Sequence, residues 1–176
     1  AGPCFGAAVE DLDLDAFQNT YRRQAVDPAV IRENGRDLEE QLAALRFYNL
    51  GKRCPTNAGV IIFGKDPLNF FSGAYVQFAR YDGETLADEP VEQKQFTGSL
   101  MTVLRELDAF VKSRFTQRPV EESALRERLV WDYPEKAIRE LLMNAVLHRD
   151  YQSNHPTRFY FFSNRIEIQN AGGLYG

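Results

Sequence analysis

Residues 135–148 place Ile138, Leu141, Leu142 and Ala145 at helical spacing, and soon afterwards the pattern changes to two short β-rich runs, 158–162 and 166–169. This helix-then-hairpin order constrains the fold more than any other feature of the chain. One apolar stripe on the helix and one apolar sheet face need each other for burial, which makes the last third an α+β unit. Ser163-Asn164 is the expected turn between the runs, and Gly172-Gly173 breaks the second one. Asp132-Tyr133-Pro134 reads as the helix start, with Asp as cap and Pro in the first turn.

Upstream the texture differs. Residues 11–23 are acidic at the start and basic at the end, as a helix dipole favours, and 37–48 carry Leu38, Leu42 and Leu45 at helical spacing before Gly51. The link between them, around Asp27-Pro28 and Asn34-Gly35, is turn-like. From Pro55 strands are expected: a buried one at 59–64, read from its continuous β-branched apolar run, then 74–81 and 92–96. Residues 99–115 follow as an amphipathic helix with Leu100, Val103, Leu104, Leu107, Phe110 and Val111 on one face, and 123–131 as a further strand.

Composition sets only broad limits. With 176 residues, 44% of them hydrophobic and 26% charged, the chain has enough apolar surface for a real core in one domain or two small ones. No apolar run is long enough for a membrane helix. The opening segment lacks Met and reads as cut from something longer. Cys4 and Cys54 have no metal-ligand spacing, so free thiols and a cytoplasmic location are expected. A net charge of −4 argues against broad wrapping around nucleic acid, and the pair Arg22-Arg23 and the basic residues of 112–118 read as solvated faces.

Chemistry is suggested by Glu140 and Asn144, four residues apart and therefore on one face of the helix, offset from its apolar stripe. An amide oxygen can ligate Mg²⁺ beside phosphates, and a carboxylate can orient or deprotonate a water. The same spacing also occurs on plain solvated faces. What distinguishes this instance is the order that follows it: two strands, then Asn170, then Gly172 and Gly173, where glycine lets backbone approach a ligand closely.

The stretches AIRELLMNAVLHRDY (137–151) and RIEIQNAGGLYG (165–176), with PTNAGVIIFGKDP (55–67) and VQFARYDG (76–83), resemble RecG-related, Schlafen AlbA-associated proteins, predicted bacterial transcriptional regulators with a GHKL-like (Bergerat fold) ATPase domain. The resemblance runs from about residue 11 to the end. It implies that Glu140 is the water-activating glutamate, that Asn144 holds Mg²⁺, that His148 belongs to the family's HRDY-like signature at the nucleotide site, and that Gly172 and Gly173 form the first glycine box. Asn170 falls where such enzymes usually have an adenine-reading Asp, and an amide can flip and lacks the fixed charge of a carboxylate. No GxxxxGK[ST] motif is present, so a P-loop motor is not supported.

The expected organisation is therefore a helical linker segment at 1–54, a mixed α/β connecting region at 55–118, and the N-terminal part of a GHKL-type α/β sandwich at 119–176. The lid and second glycine loop of such domains would lie downstream, so efficient hydrolysis is not expected of this stretch alone. The implied function is an ATP/Mg²⁺ conformational switch in a regulator that meets DNA through other domains and that can form a homodimer. The alternative is an inactive GHKL-like dimerisation or regulatory module.

Overall fold

The computed structural model describes residues 2–33, 35–115 and 134–171, which form an α+β fold in two compact units. The strand expected at 123–131, the cap Asp132 and the glycines Gly172 and Gly173 lie outside the described residues.

The first unit comprises Ala1–Phe70 and Gly98–Met101. Asp13 accepts a hydrogen bond from the amide of Ala16 (2.9 Å), and the chain winds as a π-helix over Ala16–Tyr21 into α1, Arg22–Ala25. The wider π turn belongs to the segment that sends Phe17 and Tyr21 to the same aromatic cluster, Phe17 against Phe63 (centroids 5.6 Å) and Tyr21 against Phe47 (5.4 Å) and Phe63 (5.3 Å). The expected turn at Asp27-Pro28 instead begins α2, Pro28–Glu33. Asp27 accepts from the amide of Ala29 (2.7 Å), and Pro suits a first helical position, where no partner for its missing N–H is needed.

Helix α3, Leu38–Ala44, starts with a reciprocal cap, Asp37 accepting from Glu40 N (2.8 Å) and Glu40 from Asp37 N (3.0 Å). It stops short of the expected Tyr48. Arg46 takes a left-handed backbone (φ 64°), and Phe47 N reaches back to Leu42 O (2.8 Å), a Schellman closure with arginine in the usual glycine position. Tyr48–Asn49 (β1) then pairs antiparallel with Cys54–Pro55 (β2).

The strand expected at 59–64 is a helix, α4, Asn57–Phe63. Thr56 decides this locally: its Oγ1 accepts from Gly59 N (3.1 Å) and donates to Arg46 O (2.8 Å). Val60 and Phe63 are buried at helical spacing, and Gly59 lies so close to the Phe47 carbonyl that any side chain would overlap it. A short β-branched run has no period of its own, and here the cap and the close approach outweigh propensity.

The second unit comprises Phe71–Thr97 and Thr102–Gly176. Its sheet has the order β4-β3-β5-β6, from β3 (Val76–Arg80), β4 (Glu92–Phe96), β5 (Thr157–Phe161) and β6 (Ile166–Gln169). The β3–β5 pair is parallel, with Phe78 opposite Phe159, and the others are antiparallel. Helix α5 is Leu100–Phe115 and α6 is Glu135–Leu147. Phe78, Phe96 and Phe159 are fully buried on one sheet face, where Phe110 of α5 packs on Phe78 (4.8 Å) and Phe96 (5.2 Å). Each such burial is worth about 1.5–3 kcal/mol relative to exposure. Asp108 of α5 pairs with Arg139 of α6 and with Lys112 (2.8 Å).

The buried stripe of α6 is Ile138, Leu142 and Val146. Leu141, expected in that stripe, is 60% exposed. The i, i+4 row from Ile138 meets the sheet, and Leu141 falls beyond its edge, on the flank that also carries Asn144. Among the described residues no helix is long and apolar enough to cross a membrane.

Candidate functional site

Helix α6 begins at Pro134, whose carbonyl accepts from Ala137 N (2.9 Å) and whose side chain supplies no cap. Glu135 in the first turn complements the dipole. Glu140, Asn144 and His148 follow at successive i, i+4 positions, all exposed, on the side away from the buried stripe. None of the three side chains makes a hydrogen bond or ion pair among the described residues. They form a polar row flanked by the exposed Leu141.

Asn170, at the end of β6, is brought against this helix. Its Nδ2 donates to the carbonyl of Ala145 (2.8 Å), the residue after Asn144, and its Oδ1 accepts from the Thr157 hydroxyl (3.1 Å). A backbone carbonyl only accepts, so the NH₂ end has to face Ala145 and the amide has one orientation. The expected freedom of this amide to flip is thereby removed. Among the described residues, one Nδ2 hydrogen and one Oδ1 lone pair have no partner. Thr157 is fully buried, so its hydroxyl needs this partner.

The residues after His148 have structural work that the sequence does not reveal. Arg149, a cation just past the C-terminus of α6, is buried. Its guanidinium donates to the carbonyls of Gly73, Tyr75 (3.5 Å), Ser153 (3.4 Å) and His155 (2.9 Å), and its centre lies 4.9 Å from the Tyr151 ring. Burial pushes its pKa down from the ordinary arginine value. Gly73 is glycine because a Cβ there would run into Ser153 O and the Arg149 guanidinium. Asp150 N donates to Ala171 O (3.2 Å), and the Tyr151 hydroxyl donates to Val146 O (2.9 Å), closing the last turn of α6. The segment leading into the glycines is thus fixed twice, to α6 at Asn170 and to the turn that follows α6 at Ala171. Gly73, far along the chain, gives no signal in the sequence that it receives Arg149.

Asn144 offers a single neutral oxygen. Among the described residues no cluster of three or more His, Cys, Asp or Glu side chains could hold a metal ion. That donor set fits Mg²⁺ only as part of a phosphate complex, because Mg²⁺ keeps several waters and takes phosphate oxygens readily.

No protein-family model matches the chain, and no curated protein matches it. Among solved structures, the DIP2311 protein from Corynebacterium diphtheriae is similar in fold, with a TM-score of 0.60 at 17% sequence identity. The match covers 96% of this chain and 26% of that one, so the chain spans about a quarter of the length of this neighbour.

Proposed function

We propose that the exposed face of α6, with Asn170 beside it, is the first half of a GHKL-type nucleotide site that binds ATP with Mg²⁺ and acts as a conformational switch in a cytoplasmic bacterial transcriptional regulator. The observation that carries this reading is the Glu140–Asn144 pair, unpartnered among the described residues, next to an amide of fixed orientation at the end of β6. In this reading Asn144 Oδ1 holds Mg²⁺ and Glu140 orients a water. Asn170 offers its remaining N–H and lone pair to a base edge, a pairing that suits adenine. Mg²⁺ would neutralise phosphate charge beside α6. The glycines Gly172 and Gly173 would let the backbone approach the phosphates. DNA would be met through other domains, and nucleotide binding would bias that contact or a homodimer.

The test is calorimetric titration of Mg-ATP into a chain extended through the lid that the resemblance implies, beside Asn144→Ala and Glu140→Ala. Binding that loses its Mg²⁺ dependence in Asn144→Ala supports the switch, and turnover lost in Glu140→Ala makes it an ATPase.

One observation favours the alternative, an inactive regulatory or dimerisation module. Asn170 already spends one donor and one acceptor tying β6 to α6 and β5, which is a structural task. Absence of binding at millimolar nucleotide would select it.

A further inference from the structure

The sheet face turned away from α6 carries a second, separate feature. Thr157 and Asn170 direct their side chains toward α6, so their ladder neighbours Arg158 and Gln169, a directly opposed pair, stand on the other face. There Ser153, His155, Pro156, Arg158, Gln169 and Ala171, with Asn170 at its edge, line a pocket of about 210 Å³. That is room for several waters, or for one small polyatomic ion with part of its hydration.

The charge around this pocket is one-sided. Arg158 is half-buried and makes no ion pair or hydrogen bond among the described residues. Behind the wall lies the buried Arg149, bonded to the carbonyls of Ser153 and His155 and in no ion pair with a described carboxylate. The nearby carboxylates are engaged elsewhere. Glu167 pairs with Arg165 (2.5 Å) and accepts from Gln169 Nε2 (2.7 Å), and Asp150 accepts from the amide of Gln152 (2.9 Å). His155 adds an imidazole with Nδ1 3.4 Å from Ser153 Oγ, and that hydroxyl can turn its proton outward. Two guanidinium charges, Arg158 unpaired at the wall among the described residues and Arg149 held by carbonyls with the exposed Asp150 carboxylate as its acidic neighbour, make a positive potential that an anion would relieve.

We propose that this pocket binds a small oxyanion, the phosphate or carboxylate group of a ligand, with Arg158 as the principal contact through its planar fork and His155 and Ser153 as further donors. The site does not use the Glu140–Asn144 row, and it shares with the nucleotide reading only Asn170, at its edge.

The experiment is a titration of the 176-residue chain with inorganic phosphate and, separately, with acetate, at ionic strength held constant with chloride. It is followed by the backbone amide resonances of residues 153–158 and 169–171. Saturable shifts confined to these residues are expected, and the stronger of the two anions identifies the source. Arg158→Gln is expected to weaken binding about tenfold or more, the loss of one charge-assisted contact. Asn144→Ala is expected to leave it unchanged. Arg158→Lys keeps the charge but not the fork and should bind between the two, which guards against a folding defect in Arg158→Gln. Equal shifts with chloride alone, shifts spread over the whole chain, or binding that survives Arg158→Gln would overturn the proposal.

Discussion

Asn170 crosses from the end of β6 to the backbone of α6, its Nδ2 2.8 Å from the carbonyl oxygen of Ala145. This places the residue that precedes the glycines one position along the helix from Asn144. It also means that the amide at this position is required by the fold, whatever it does for a ligand. A carboxylate here could accept from Thr157 but would face the Ala145 carbonyl with no proton between them.

Asn170→Asp is therefore expected to destabilise the second unit by about 1–3 kcal/mol, the range for a lost bond that leaves an acceptor facing an acceptor. Thr157→Val, which removes the hydroxyl from Asn170 Oδ1, should cost about 1 kcal/mol. Urea denaturation measures both, and a neutral Asn170→Asp would show that the Ala145 contact carries no stability.

The sheet and the two long helices of the second unit were legible because each announces itself over a long window. The strand at Glu92–Phe96 has the expected bounds, ahead of Gly98, and α5 and α6 show helical spacing over several turns. The run Val60-Ile61-Ile62-Phe63 was not legible, because four apolar residues fit either period and the deciding partners are the Thr56 cap and the Phe47 carbonyl. The surroundings of the candidate site were half legible. Glu140 and Asn144 fall on an exposed face as their spacing requires, whereas the Arg149 clamp depends on carbonyls from Gly73 and Tyr75, which no local pattern can indicate.

The helical state of residues 57–63 predicts a capping effect that a strand would not show. Thr56→Ala should destabilise the chain by about 1 kcal/mol, and Gly59→Ala by about 1–3 kcal/mol through overlap with the Phe47 carbonyl. Amide exchange of residues 60–64 should accelerate in both variants. Unchanged protection would sink the helix assignment.

Arg149→Met removes five donors and leaves the carbonyls of Ser153 and His155 without their partner among the described residues, while that of Gly73 keeps only the amide of Tyr75. The expected cost is about 3 kcal/mol, the scale for breaking a buried charged network. Arg149→Lys recovers little of it, since one ammonium cannot reach all of these acceptors. Thermal melts followed by tyrosine absorbance report the loss.

Alkaline pH should destabilise the chain through its buried and half-buried phenols. Burial raises the pKa of Tyr151, Tyr160 and Tyr48 above the ordinary value of 10.0, in Tyr151 against the lowering influence of Arg149. A folded-state pKa above the unfolded one means that the unfolded chain loses its proton first. The stabilisation is complete below pH 10 and is lost as pH rises through the folded values. Tyr151→Phe should lower stability at neutral pH by removing the bond to Val146 O, yet flatten its decline above pH 10. Denaturation midpoints at neutral pH and above pH 10 separate the two effects, and an equally steep alkaline decline in Tyr151→Phe would refute the role given to this residue.

The Glu140–Asn144 row offers the most direct separation of function from structure. Both side chains are exposed and unbonded among the described residues, so replacing either with alanine should change stability by no more than about 0.5 kcal/mol. A solvated face and a nucleotide site predict the same small stability effect and differ only in binding. If the row belongs to a nucleotide site, Asn144→Ala in the lid-extended chain weakens Mg-ATP by about tenfold or more, on the scale of one contact to a charged group, while binding of ATP without Mg²⁺ changes little. Glu140→Ala keeps nucleotide affinity and loses turnover. If instead Asn144→Ala is silent for both forms of ATP while Asn170→Asp alone disturbs the chain, the helix face is plain solvated surface and Asn170 is a structural tie. The second unit is then a regulatory or dimerisation module, and sedimentation of the extended chain decides between those two.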